Sequence, residues 1–326
     1  MRAMFGALAL LGLLAASPGM SPAAAQSYPS RNVTFVVTTT PGGLTDVLAR
    51  AVGQRLSQMW GQPVVIENRA GAAYALAANA VKSAAPDGYT LLVTETGMFT
   101  MQPFLTKDRT SYDLGKDFLP IGGLAAIPMA LIVSPSMPAK SVRELIALAK
   151  QKPGTINYGT PGAGTAPHMG ALLLANLAGV ELTPVHYRGV SLALNDVIAG
   201  HINMITMGPS IALPSARAGK LNILGLGSTE RIAQLPDIPT VGETVPGYSA
   251  SVSFGLFAPA GTPREIVAKI NADMQRIADD QEFRARVFEP QVLQPLPGSP
   301  DAFGKYIGDE AAKWSKVISD TKLQIE

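Results

Sequence analysis

Two short glycine loops carry the residue types best suited to holding a small anion. The first is Pro41-Gly42-Gly43-Leu44-Thr45-Asp46; the second is Gly159-Thr160-Pro161-Gly162-Ala163-Gly164-Thr165. Each follows a β-rich stretch and opens a helical one. Glycines let backbone N–H groups turn toward one point, and a helix N-terminus adds partial positive charge. One such loop alone reads as a tight turn. Two of them, one in each half of the chain, point to a cleft that grips an anion.

Other chemistry finds little support. Gly162-Ala163-Gly164 begins like a dinucleotide fingerprint, but Pro167 stands where its third glycine belongs. There is no Gly-x-Ser-x-Gly elbow, and Gly219-Lys220 runs into Leu221 instead of a Walker serine or threonine. His168, His186 and His201 are the 3 histidines, and no two stand a helical turn apart. A three-histidine metal site is therefore not expected. His168, near a helix start, reads as a local hydrogen-bonding group. Asp46 either caps its helix or shapes a ligand site. Arg188 could pair a carboxylate, although most arginines are solvated or salt-bridged. With Cys 0, zinc ribbons, iron–sulfur clusters, thiol nucleophiles, disulfides and a lipid-anchored cysteine are excluded. A net charge of +2 offers no basic footprint for nucleic acid or for a membrane surface.

The elements that must position the loops follow from periodicity. The 326 residues are 47% hydrophobic and 15% charged, enough to bury a sizeable core. Strands are expected at 33–38, 64–66, 89–93, 130–133, 155–158, 202–207, 221–226 and 252–258. Helical stripes run from Thr45 to Trp60, from Val142 to Ala149, over Leu172–Leu177, over Leu192–Ile198, from Glu265 to Ile277 and over Phe303–Ile318. This alternation predicts α/β layers with mostly parallel sheets, divided between two lobes joined by chain crossings. At the N-terminus, Arg2, an apolar run from Met4 to Ala16 and Ala23-Ala24-Ala25 predict a cleaved export signal at 1–25.

The chain resembles the extracytoplasmic solute-binding receptors of tripartite tricarboxylate transporters, the TctC or Bug family. The resemblance covers nearly all of the chain after the export signal. Its marks are Pro41-Gly42-Gly43 with Thr45-Asp46, Glu67-Asn68-Arg69 with Gly71, and Pro86-Asp87-Gly88-Tyr89-Thr90-Leu91-Leu92. They continue with Tyr112-Asp113, Lys116-Asp117-Phe118, Tyr158-Gly159 with His168, and His186-Tyr187-Arg188-Gly189. The last are Leu235-Pro236-Asp237-Ile238-Pro239-Thr240, Ala258-Pro259-Ala260-Gly261-Thr262-Pro263 and Lys313-Trp314. Each is weak alone; in this order they are specific.

The resemblance implies a two-lobed periplasmic-binding-protein fold of type II, with 26–126 and 251–326 forming lobe 1 and 127–250 lobe 2. It implies a small carboxylate held between the lobes by loop amides and water. The receptor is then a periplasmic monomer without cofactor or catalysis, serving a permease of one large and one small membrane subunit, TctA- and TctB-like. The expected ligand-contacting residues are Thr39, Gly42, Gly43, Leu44, Thr45, Asp46, Tyr74, Thr96, Thr160, Gly162, Ala163, Gly164, Thr165 and His168. Four charge-assisted hydrogen bonds at ~1.5–3 kcal/mol each are sufficient for micromolar binding, which needs about 8 kcal/mol. A secreted hydrolase, or a receptor reporting to a membrane sensor kinase, are the rival readings. The sequence departs from the family at Thr38-Thr39-Thr40, where a Pro-Phe is common, and at Ala73-Tyr74, where glycines are common. Tyr74 is therefore expected in the cleft, favouring a small or aromatic carboxylate over citrate.

Overall fold

A computed structural model describes residues 28–106, 110–296, 298–323 and 325. The expected export signal lies outside the described residues.

The strands form two separate sheets. The first has the order β11-β4-β10-β3-β1-β2, with β1 Val33–Val37, β2 Val64–Asn68, β3 Thr90–Glu95, β4 Phe118–Pro128, β10 Ser251–Pro259 and β11 Gln294–Pro295. The second has the order β7-β6-β8-β5-β9, with β5 Ala130–Val133, β6 Asn157–Thr160, β7 Thr183–His186, β8 Met204–Met207 and β9 Asn222–Leu226. Helices cover both faces of each sheet. Phe35 and Val37 on β1 pack with Leu48, Val52 and Leu56 of helix Leu44–Trp60 and with Ile270 and Met274 of helix Arg264–Asp279. Val36, pointing the other way, packs with Ala78 and Val81 of helix Ala75–Lys82. This two-sided burial explains why β1 reads as a nearly continuous apolar run.

The sheets are mixed, not mostly parallel as the alternation predicted. β1 runs parallel to β2 and β3, and β6 to β7 and β8. β10 is antiparallel to β3 and β4, and β5 to β8 and β9. The reason is the route of the chain. It leaves the first lobe along β4, passes Met129 and enters β5 directly; it returns along β10, which lies beside β4. Two neighbouring strands that carry the chain out and back must be antiparallel. β4 escaped sequence reading because Pro120 and Gly122-Gly123 look like breakers. Its glycines are there for close approach: a Cβ on Gly122 would lie 2.7 Å from Asn271 Nδ2, and one on Gly123 2.5 Å from Leu296 O. β7, with Pro184, escaped likewise; it sits at a sheet edge, where proline is tolerated.

The last helix, Pro300–Asp320, does not belong to the first lobe alone. Phe303 and Ile307 pack against the first sheet, whereas Trp314, Val317 and Ile318 join the core of the second. The near half of this helix thus lies on the first sheet and its far half on the second.

Where the chain crosses between lobes, three backbones meet. Met129 N–H donates to Ala250 O (2.9 Å), Gly227 N–H to Met129 O (2.7 Å) and Ala250 N–H to Gly227 O (2.9 Å). A Cβ on Gly227 would lie 2.2 Å from Ala250 O. Gly227→Ala should therefore lower stability by about 3 kcal/mol or more, because backbone cannot yield as a side-chain end can. Denaturant unfolding measures this, and a midpoint unchanged from wild type would refute it.

Candidate functional site

A cavity of about 480 Å³ lies between the two lobes. Its wall is set by where helices begin. Leu44 opens helix Leu44–Trp60, Tyr74 is the N-cap of Ala75–Lys82, and Thr165 and Ala166 begin Ala166–Ala178. Val190 begins Val190–Ala199, and Gly208 and Ser210 begin Pro209–Arg217. The first turn of a helix leaves N–H groups without intrahelical acceptors and carries partial positive charge. Five such termini therefore face one space, outside the carboxyl ends of the strands, as ligand sites in open α/β sheets do. Among the described residues lining the cavity, none is lysine, arginine or histidine.

Five of the residues expected from the sequence reach this wall: Leu44, Tyr74, Thr96, Gly164 and Thr165. The others sit behind it, because the glycine amides are spent inside the loops. Gly42 N–H donates to Asp46 Oδ2 (2.9 Å) and Gly43 N–H to Thr40 O (3.3 Å). In the second loop, Gly162 N–H donates to Thr160 Oγ1 (3.2 Å) and Gly164 N–H to His168 Nδ1 (3.0 Å). Thr165 Oγ1 donates to Gly162 O (2.7 Å). Ala163 is half-buried and off the wall, and Thr160 is fully buried. The hydroxyls of Thr39 and Thr45 are buried without a hydrogen-bond partner among the described residues, also off the wall. Thr38 donates to Thr94 Oγ1 (3.1 Å), and so faces its own sheet. What the loops present to the cavity is the start of each helix, not the glycine N–H groups.

Asp46 and His168 brace these loops. The Asp46 carboxylate accepts from Gly42 N–H, Arg50 Nε (3.0 Å) and Asn68 Nδ2 (2.8 Å). Arg50, Gly42 and Asn68 together hold its carboxyl down to about 2 against the cost of burial. Asp46 thus shapes the loop, and its oxygens are not free for a ligand. His168 is buried and stacked on Tyr158, with His186 edge-on. Burial, and secondarily His186, push its pKa down to about 4, so it is neutral at pH 7 and accepts from Gly164.

Sequence reading missed several residues of the wall. Glu95, Gln102, Ser210, Ser253, Gln291 and Glu310 contribute its polar atoms, and Ile127, Met129 and Phe254 much of its apolar surface. Ser210 and Gln291 follow proline-bearing or irregular segments with no periodic signal.

Beside the first loop the backbone is strained. Ala72, Ala73 and Tyr74 have φ of 48°, 48° and 71°, a run of left-handed residues after Gly71. Each costs a non-glycine residue roughly 1–2 kcal/mol. The turn is tied down by Ala75 N–H to Ala72 O (3.0 Å) and by Tyr112 Oη donating to Ala73 O (3.0 Å). It places Tyr74 on the cavity wall.

Two mixed α/β lobes with a ligand-sized cavity between them define a periplasmic-binding protein of type II. The chain belongs to the TctC family, the tripartite tricarboxylate transporter family receptors, whose family model matches residues 48–323. It is 29% identical to protein BugT of Bordetella pertussis over 98% of each chain. A protein of R. palustris solved with adipate shares the fold with a TM-score of 0.75 at 33% identity, over 90% of this chain and 97% of that one. MatC from Rhodopseudomonas palustris, solved with bound malate, has a TM-score of 0.71 at 32% identity, over 89% and 100%. The family is one of solute-binding receptors and not an enzyme family. Among the described residues, no helix is long and apolar enough to cross a membrane.

Two measurements follow from the site. An unfolded His168 takes up a proton near its ordinary 6.5, whereas the folded one resists until about 4. Stability should fall as pH drops through that window, by up to about 3 kcal/mol. Urea midpoints of His168→Gln should lose this dependence; the same slope in both proteins would disprove it. The stabilisation from Asp46 is complete above about pH 4 and is lost only as pH falls from there toward about 2, so it does not contribute to the slope in the His168 window. Second, Ala73→Gly should stabilise the protein by about 0.5–1 kcal/mol, since relief of the left-handed strain exceeds the entropy glycine adds to the unfolded chain. A lower melting temperature would show that the turn is not strained.

Proposed function

We propose that this chain is a periplasmic receptor that captures a small carboxylate between its lobes and delivers it to a membrane permease of one large and one small subunit. The observation that carries this reading is the convergence of five helix N-termini on one cavity whose described lining has no cationic side chain. Such a wall recognises an anion through backbone N–H groups, which hold fixed positions and need no counter-charge when the cavity is empty. The adipate and malate found in relatives support the same ligand class. Family membership and the export pattern at the N-terminus support the location.

The wall also bears on ligand charge. About 480 Å³ is room enough for citrate, so size alone does not exclude it. Three carboxylates, however, need more compensation than helix termini offer, each worth roughly 0.3–1 kcal/mol at an exposed site and up to about 2 in a partly buried one. The preferred ligand carries few charges.

Ala166→Pro tests the mode of recognition. Ala166 is the first helical residue, where proline fits the helix but removes the N–H. Thr165 before it already has φ −71° and ψ 158°, a conformation proline allows in its neighbour. Calorimetric affinity for the best-binding acid from a screen of mono-, di- and tricarboxylates should fall about tenfold to a hundredfold, with unchanged circular dichroism. Unaltered affinity would mean that this helix start does not hold the anion.

A further inference from the structure

One wall group works against an anion. Glu95 ends β3, opposite Phe254 of β10, and lines the cavity with its neighbour Thr96. Its carboxylate makes no hydrogen bond and no ion pair among the described residues, and burial raises its pKa. The other acid on the wall is unlike it: Glu310 accepts from Lys313 Nζ (2.6 Å) and Trp314 Nε1 (3.0 Å), and is compensated within the protein. Nothing on the wall compensates Glu95, since none of the described lining residues is cationic.

Tyr74 lines the same cavity, where burial first and the Glu95 carboxylate second make its phenol harder to ionise, and its hydroxyl also has no partner among the described residues. The strained turn at 72–74 carries that ring onto the wall. The cavity therefore has two poles. Helix starts at Leu44, Ala166 and Ser210 favour negative charge; Glu95 with the Tyr74 hydroxyl favours a donor. An unpaired carboxylate at an apolar wall is costly, and an ammonium group removes that cost by pairing with it.

Resting on the reading of the protein as a carboxylate receptor, we propose that Glu95 is a specificity-determining residue and that the ligand is a carboxylate bearing a protonated amine at its other end. A plain dicarboxylate would bring a second anion against Glu95, and one of the two would have to take up a proton. An amino acid of matching length satisfies both poles.

The test uses the mature protein and Glu95→Gln, a replacement of the same shape without the charge. Calorimetry compares matched pairs: β-alanine with malonate, γ-aminobutyrate with succinate, ε-aminocaproate with adipate, and butyrate as the acid without a second group. Wild type should bind the amino acid of at least one pair tenfold or more tightly than its dicarboxylate. Glu95→Gln should erase or invert that preference, weakening the amino acid far more than butyrate, with an unchanged circular dichroism spectrum. If dicarboxylates win with both proteins, or the substitution leaves the ranking unchanged, the role of Glu95 is overturned and the receptor reading stands. If no acid binds either protein, the receptor reading falls and this inference with it.

Discussion

The structure depends on a single arrangement: strands of both lobes end at one cavity, and the helices that follow them begin there. Every helix start brings N–H groups that its own turns cannot use. Facing them into one space between two lobes is what the proposed recognition of an anion rests on. The glycine loops serve this arrangement indirectly. Gly42, Gly162 and Gly164 donate inward, to Asp46, Thr160 and His168, and so fix the angle at which each helix leaves its strand. The buried Asp46 with Arg50 and Asn68, and the neutral His168 on Tyr158, are the supports of a site they do not touch.

The lobes are connected by more than two strands. β4 and β10 run side by side out of the first sheet, and Met129, Gly227 and Ala250 are hydrogen-bonded where they cross. The helix Pro300–Asp320 begins in the first core and ends in the second. Rotation of one lobe against the other has to bend the chain at the crossing and slide one end of this helix on its core.

The turn at 72–74 shows how this chain sets a side chain of its own on the cavity wall. Glycine would adopt these dihedral angles at little cost. Ala72, Ala73 and Tyr74 adopt them at a cost that the surrounding contacts must offset. What is gained is an aromatic ring and a hydroxyl on the cavity wall that also bears Glu95, an acid with no partner among the described residues.

Much of the frame was legible in the sequence. Helices such as Leu44–Trp60 and Arg264–Asp279 declare themselves because one face meets a core at a period of 3.6 residues. The strands β1, β3, β5 and β10 do so because both faces are buried. The two loops were visible as turns between such elements, and Tyr74 as a ring where glycine is usual. The rest depended on contacts between distant residues. β4 is a strand because Gly122 and Gly123 let Asn271 and Leu296 approach, which their spacing in the sequence does not disclose. Which N–H groups remain free of partners was decided by Asp46 and His168 claiming the amides of Gly42 and Gly164. Glu95 is one acid at the end of one strand; it matters only because folding encloses it in a cavity whose described wall holds no positive side chain. Local periodicity is written along the chain, whereas a group's partners and its exposure to water exist only after the lobes have come together.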